Sequence, residues 1–523
     1  MLTALANLAR LARVGFVLAR EGALSLVDVA DVPQRARAGL WLARRIERKG
    51  AGERAQRLAA ALTRLGPSYV KFGQFLATRP DVVGVRVARD LEALQDRMPP
   101  FPREEAVATV ETALGGPLGR FYLSFSEPVA AASIAQVHKA EVAAPSGPRA
   151  VAVKVLRPGV RLRFRRDLDA MAFAARTLEQ VSPESRRLRP TGVVATLARS
   201  VSMEMDLRLE AAAMSEMAEN TRDDPDFRVP TVDWERTGRD ILTMEWIDGL
   251  PLNAIDAIAA AGHDRVALGR TVIQSFLRHA LRDGFFHADM HPGNLFVDPQ
   301  GRLCAVDFGI MGRLGPAERR FLAEILLGFI TRNYRRVAEV HFEAGYVPSH
   351  HAVDDFAQAI RAIGEPIHDR TADQISMAKL LTLLFEITGL FDMQTRTELV
   401  MLQKTMVVVE GVARTLDPQL DMWKTSEPVV REWIERNLGP LGRIQEAGRG
   451  ALNLAGLLVH VPGLVTRAER LSATLEDAAR HGFPLAPESV EAIGRAEARR
   501  ARWGNGALWV AAAALVVIAW KLL

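Results

Sequence analysis

One lysine, one asparagine and two aspartates carry the chemistry that this sequence suggests. Lys154 stands in the β-branched run "VAVK" (151–154). Asp289 and Asn294 stand in "HADMHPGN" (287–294), and Asp307 stands in "VDFG" (306–309). An ammonium can meet nucleotide phosphates, carboxylate and amide oxygens are hard ligands suited to Mg²⁺, and a further carboxylate can orient or deprotonate an attacking hydroxyl. These are the working parts of phosphoryl transfer. A strand would hold the Lys154 ammonium at a fixed place. The runs "LFV" and "RLCAV" around the turn "DPQG" predict a hairpin, which returns Asp307 beside Asn294 so that both reach the same metal pair. Singly, each piece is weak: a lone lysine is usually a snorkelling surface residue, and three residues such as "DFG" arise by chance. Their order, with the hairpin between the last two, is what argues for a site.

The spacing also matches a known pattern. Asp289 follows His287 by two and Asn294 follows Asp289 by five, as in the protein-kinase catalytic loop H-x-D-x-x-x-x-N, and a D-F-G segment comes next. In that pattern Asp289 orients or deprotonates the nucleophile, Asn294 and Asp307 hold Mg²⁺, and Lys154 meets the α- and β-phosphates of ATP. His287 reads as structural. His291 has no Cys or His partner at ligand spacing and reads as a turn stabiliser. Lys154 needs an acidic partner. A helix over 194–218 offers Glu204, Asp206, Glu210 and Glu216, of which Asp206 and Glu210, four apart, share a face. Spacing does not choose among them.

The positioning elements follow from periodicity. Residues 1–115 read as a helical N-terminal extension, broken by "PPFP" (99–102). Residues 116–250 read as a small sheet-rich lobe with strands at "FYLSFSEPV" and "VAVKVL", the segment "AAASIAQVHKAEV" between them, and later strands at "FRVPTVDWE" and "DILTMEWIDG". Residues 251–440 read as a helical lobe, 441–505 as a further helical region and 506–523 as a transmembrane tail. The fold class is therefore α+β, a protein-kinase-like two-lobe fold with helical additions at both ends.

Composition narrows the function. Of 523 residues 49% are hydrophobic and 25% charged, as in ordinary globular chains; the net charge of +5 is spread along the length, with no basic block to bind nucleic acid. The single cysteine, Cys304, excludes an intrachain disulfide and any multi-cysteine metal cluster, and reads as a buried small hydrophobe. The N-terminal run is interrupted by Arg10, Arg13 and Arg20 and predicts an amphipathic helix, packed on the fold or lying on a membrane. The tail "GALWVAAAALVVIAWKLL" has tryptophans near its ends and follows Arg495, Arg499, Arg500 and Arg502. By the positive-inside rule, it anchors a cytoplasmic protein in a bacterial-type inner membrane.

One departure from ordinary kinases leads to a family. The nucleotide loop between the first two strands holds "VAAASIAQVH" (129–138) where a glycine-rich loop is usual, and alanine disfavours the positive φ that glycine permits. With this loop, "LGPSYVKFGQFLATRPD" (65–81), "LQDRMPPFP", "VAVKVLRPG", "EMDLRLEA", "HADMHPGN" and "VDFG", the chain closely resembles the UbiB (ADCK/aarF) family of atypical kinase-like proteins. The resemblance runs from about residue 10 to residue 345. It implies a K-x-G-Q motif at Lys71, Gly73 and Gln74 on an extension folded over the active site, where a protein substrate would otherwise enter. It implies that Glu204 meets Lys71, with Asp206 completing the E-x-D segment, and that Glu210 pairs with Lys154. The nucleotide would be surrounded by Ala130, Ala131, Ala132, Ser133, Lys154, Glu210 and, in the hinge-like stretch, Glu245 and Ile247. The family further implies Mg-ATP hydrolysis or phosphoryl transfer serving ubiquinone biosynthesis at the membrane, with polyprenyl quinone precursors and other ubiquinone-biosynthesis proteins as partners.

Independently of the family, only "IMGRLGP" separates "VDFG" from the next helix, so no activation loop and no A-P-E segment is present to dock a peptide. Two rival readings remain: a nucleotide-binding pseudokinase scaffold, and a kinase of an unidentified protein or small molecule. A monooxygenase is disfavoured, since the sequence offers no flavin fingerprint and no iron-binding triad at recognisable spacing.

Overall fold

A computed structural model describes residues 2–23, 45–47, 54–77, 98–181, 189–367 and 397–439, together with residues 83, 87, 90, 91, 94, 387 and 389–393. The chain forms two compact units, 1–435 and 436–523; nearly all of the second lies outside the described residues. So do the expected helical region 441–505 and the expected tail 506–523. Among the described residues, no helix is long and apolar enough to cross a membrane.

Helical periodicity in the extension yields α1 (Leu2–Arg20), α2 (Arg54–Leu65), α3 (Pro67–Ala77) and α4 (Arg103–Leu114). The strands β1 (Ser124–Ala131), β2 (Ala135–Val142) and β3 (Arg149–Leu156) follow. Then come α5 (Val160–Val181), α6 (Pro190–Glu204), α7 (Leu207–Asn220), β4 (Phe227–Arg228) and β5 (Ile241–Glu245). The main sheet is antiparallel in the order β1-β2-β3-β5. Successive side chains of β3 point to opposite faces. Val151, Val153 and Val155 pack with Val110 and Ala106 of α4, whereas Ala152 and Leu156 join the larger core that contains Leu207, Ala211 and Met214 of α7. The same alternation sets Lys154 on the α7 face.

Three expectations are corrected here. The segment "AAASIAQVHKAEV" is not a connector between strands: its last eight residues form β2, whose inward positions are buried, including the polar Gln136 and His138. The alanine loop therefore shrinks to residues 132–134, and Ala130 and Ala131 belong to β1. The helix expected over 194–218 is broken. Asp206 has an extended backbone (φ −117°, ψ 93°), and its side chain accepts from the Arg208 amide, ending α6 and capping α7. Asp206 thus does not share a helix face with Glu210. Of "FRVPTVDWE" only Phe227 and Arg228 form a strand; Pro230 has no amide to donate, and beyond it Val232 makes a single bridge to Met244.

The helical lobe comprises β6 (Leu250–Pro251), α8 (Ile255–Ala260), α9 (Arg265–Arg278), a π-helical turn (His279–Asp283), β7 (Phe285–His287), β8 (Leu295–Val297), β9 (Leu303–Ala305) and β10 (Met311–Arg313). It continues through α10 (Pro316–Ile330), α11 (Tyr334–Glu343), α12 (Val353–Gly364), α13 (Thr397–Leu416) and α14 (Met422–Leu438). The predicted hairpin is β8–β9, with Leu295 opposite Ala305. It lies in a small sheet of order β4-β9-β8-β6, so β4, from before the helical lobe, flanks it on one side and β6, at the start of that lobe, on the other. β7 pairs with β10, bringing the segments on either side of the hairpin together.

Candidate active site

Lys154 is the centre of the site. Its Nζ donates to both oxygens of Glu210 (2.8 and 3.0 Å) and to Oδ1 of Asp307 (2.9 Å). The sheet supplies the lysine, α7 the glutamate and the end of the hairpin the aspartate. Asp206, by capping α7, fixes where that helix starts and hence where Glu210 points. Burial alone would lower the Lys154 pKa, but the charges of Asp307 and Glu210 more than offset it and raise it. Burial likewise opposes ionisation of Asp307, and the Lys154 ammonium wins, holding this carboxyl well below its usual range. Burial prevails at Glu210, pushing its pKa from 4.5 to about 7 against the pull of Lys154 and with the help of Asp307. Asp307 has φ +62°, a left-handed conformation that aspartate and asparagine tolerate better than most residues. Its side chain stays 42% exposed, open to the cleft.

Asp289 and Asn294 adjoin this cluster. The Asn294 Nδ2 donates to the Asp289 carbonyl (3.1 Å) and to its Oδ2 (3.3 Å). The Val306 amide donates to the Asn294 carbonyl (2.8 Å), which sets Asn294 across the hairpin from the residue before Asp307. His287 is buried: its Nδ1 accepts from the Asp289 amide (3.1 Å), its Nε2 faces the Val306 carbonyl (3.3 Å), and burial lowers its pKa. It ties the two segments together. His291 accepts from the Gly293 amide through Nδ1 (3.2 Å), a turn contact.

The extension lies alongside. Lys71 on α3 pairs with Glu204 at the end of α6 (2.6 Å), both side chains being largely buried, and the Lys71 charge helps depress the Asp307 pKa. Gln74 follows one turn later. Gly73 is buried where a Cβ would lie 2.5 Å from Leu94 Cδ1 and 2.8 Å from Leu62 Cδ1, so a side chain there would require those leucines to shift. Asp206 pairs with Arg208 (2.7 Å). Glu216, the fourth acid on the helix, pairs with Arg313 on β10 (2.6 Å).

Several positioning residues escape sequence reasoning. Arg157 donates to the Ala132 carbonyl (3.1 and 2.9 Å) and to the Pro99 carbonyl (2.8 Å), and lies over the Phe101 ring. Gln136 accepts from the Phe101 amide (2.9 Å) and donates to its carbonyl (3.2 Å), while meeting His138 Nε2 at 2.9 Å. The alanine loop is thus clamped to the "PPFP" break. Thr405 on α13 donates to the Ala288 carbonyl (3.0 Å), bracing the catalytic loop from behind. Gln136, His138 and Arg157 lie in the same quoted segments as the alanines and Lys154, but nothing in those segments points to their backbone partners. At the hinge, the Glu245 amide donates to Thr231 (2.8 Å) and its carboxylate accepts from Arg228 (2.5 Å). Both groups are committed to that segment. Ile247 follows in the connector.

A family profile described as the ABC1 atypical kinase-like domain matches residues 93–341, and one described as the UbiB helical domain matches 360–421. A curated protein of Marinobacter nauticus named "Probable protein kinase UbiB" is 39% identical over 477 residues, 88% of this chain and 85% of that protein. One of the same name from Azotobacter vinelandii is 39% identical over 447 residues, 84% of this chain and 80% of that protein. Among solved structures, the complex of Rv3197 with erythromycin from Mycobacterium tuberculosis is 26% identical and covers 78% of this chain and 100% of that one, with a TM-score of 0.48.

Proposed function

This chain belongs to the UbiB family of atypical kinase-like proteins, and we propose that it uses Mg-ATP, by hydrolysis or by phosphoryl transfer, in support of ubiquinone biosynthesis at a membrane. The observation that carries this reading is the Lys154 ammonium held between Glu210 and Asp307, beside the Asp289–Asn294 pair. The residues fit a metal–nucleotide site, since hard oxygen donors and one fixed cation converge on an open cleft. Bound Mg-ATP would supply the transferable phosphoryl group and the cation that stabilises its charge. Asp307, kept ionised by Lys154, and the amide oxygen of Asn294 would hold the metal. Glu210 keeps Lys154 aimed at the phosphates. Asp289, oriented by the Asn294 amide, would take the proton of an attacking hydroxyl or water. Ala132 and Ser133, clamped by Arg157, would border the nucleotide, with Glu245 and Ile247 at its far edge.

The short span after Gly309 and the placement of α3, with Lys71 on Glu204, favour water or a small acceptor over a protein. Polyprenyl quinone precursors suit a membrane-bound enzyme of this kind, with other ubiquinone-biosynthesis proteins as neighbours. Release of ADP by the purified full chain in detergent with lipid tests the reading. We expect Asp307→Asn to lower turnover by about 100-fold or more, as loss of one preorganised electrostatic group does. Its fold should remain intact, because asparagine accepts the same left-handed backbone. Quinone profiles of a strain lacking the protein should be restored by the wild type and not by this variant. Retained nucleotide binding with no ADP release by the wild type would instead mark a scaffold.

A further inference from the structure

Outside the cleft, His350, His351 and Asp392 converge although sequence spacing hides them. His350 and His351 precede α12, and Asp392 lies in a turn after the segment that α12 begins. The Asp392 Oδ2 is 3.7 Å from His350 Nε2 and 3.4 Å from His351 Nε2, and the three ligand atoms all lie within 4.8 Å of one another. Two ligands bound at about 2.0–2.1 Å in a tetrahedral site stand roughly 3.3–3.4 Å apart. The histidine–aspartate separations are therefore close to those of a metal's coordination edge.

The groups are held in place from behind. Phe391, buried, packs edge-on against Phe356 of α12 (5.0 Å between ring centres) and tilts against His351 (5.2 Å). The His351 amide donates to the Pro348 carbonyl (3.2 Å), and Asp392 has φ +47°. The His351 Nε2 is buried and has no hydrogen-bond partner among the described residues. That nitrogen lies 3.4 Å from the Asp392 carboxylate without hydrogen-bonding it, so an ion between the two would give it a ligand bond.

We infer that His350, His351 and Asp392 form a site for a divalent transition metal of the zinc class, distinct from the all-oxygen nucleotide site. Two imidazoles and one carboxylate select zinc, nickel or cobalt over Mg²⁺ and Ca²⁺. His350 and His351 precede α12 and Asp392 follows it in the chain, so a bound ion would tie the start of α12 to the turn at Asp392. His350 and Asp392 are 65% and 68% exposed, which leaves solvent access for a fourth ligand. The site serves as a clamp on the helical lobe.

Zinc titration of the full chain, free of any affinity tag and with saturating Mg²⁺, tests this against a chromophoric chelator. One zinc per chain is expected. Asp392→Asn and His351→Ala should each weaken it by about tenfold or more, since even an outer partner of a metal ligand is worth about 10–100-fold. Zinc should raise the melting temperature of the wild type and leave that of Asp392→Asn unchanged. Melting without zinc checks that each variant folds, and His350→Gln, at an exposed side chain, stands in for either that does not. Equal zinc binding by wild type and variants, or none by the wild type, would overturn the site and leave an exposed histidine–carboxylate cluster.

Discussion

Lys154 neutralises two carboxylates with one charge, and the imbalance falls on Glu210. Because its pKa is raised to about 7 in the folded chain, Glu210 keeps a proton there that an unfolded chain has already lost. The sign follows from proton linkage: its contribution to stability is whole below about pH 4.5 and fades as pH rises through about 7. Glu210→Gln cannot titrate. Between about pH 5 and about pH 8, the melting temperature of the wild type should therefore fall relative to that of this variant; parallel profiles would mean that Glu210 is ionised throughout. At this scale Lys154, Asp289, Asn294 and Asp307 were legible because each chemical role demands one residue type at a fixed spacing. The choice of Glu210 among four acids came from family resemblance, because helix periodicity carries no record of where a helix stops. Gln136 and Arg157 were not legible as a clamp, since their partners are backbone atoms of a distant segment, which any sequence would offer.

The element that carries Lys71 to Glu204 is α3, and Gly73 sets how closely it packs. With Leu62 and Leu94 lying where a Cβ would go, Gly73→Val should destabilise the protein by about 1–3 kcal/mol, as overpacking does. It should also loosen α3 before the rest of the fold melts, which hydrogen exchange of the α3 amides would register; unchanged protection in 67–77 would contradict this. The elements were read well where alternation or periodicity ran long, as in β3 and α2, and the short β8–β9 hairpin was read from its turn. They were read poorly where a polar residue does structural work. β2 was hidden because Gln136 and His138 occupy inward positions, and the helix over 194–218 was read as continuous because a capping aspartate looks like any surface acid until its amide partner is seen.

At the scale of the whole molecule, the order of sheet-rich and helical lobes and the helical character of the N-terminal extension were legible from the change in apolar period along the chain, whereas the seating of the lobes was not. On α1, Leu5, Leu8 and Phe16 are more than half exposed at helical spacing, while Val17 and Ala19 are buried against the fold. Both readings of this helix thus meet in one element, packed on one face and bare on the other. We expect removal of 506–523 to shift the protein from membrane to soluble fractions. Retention at the membrane, reversed by Leu5→Ser with Phe16→Ser, would assign the hold to α1 instead. The small sheet has a consequence of its own. β4, made before the helical lobe, pairs with β9 of the hairpin that lies between Asn294 and Asp307, and Arg228 reaches both Glu245 and Asp298. The covalent connector is therefore not what keeps the two halves in company. A single proteolytic nick near Asp248 should yield two fragments that travel as one particle through a sizing column and part only in urea.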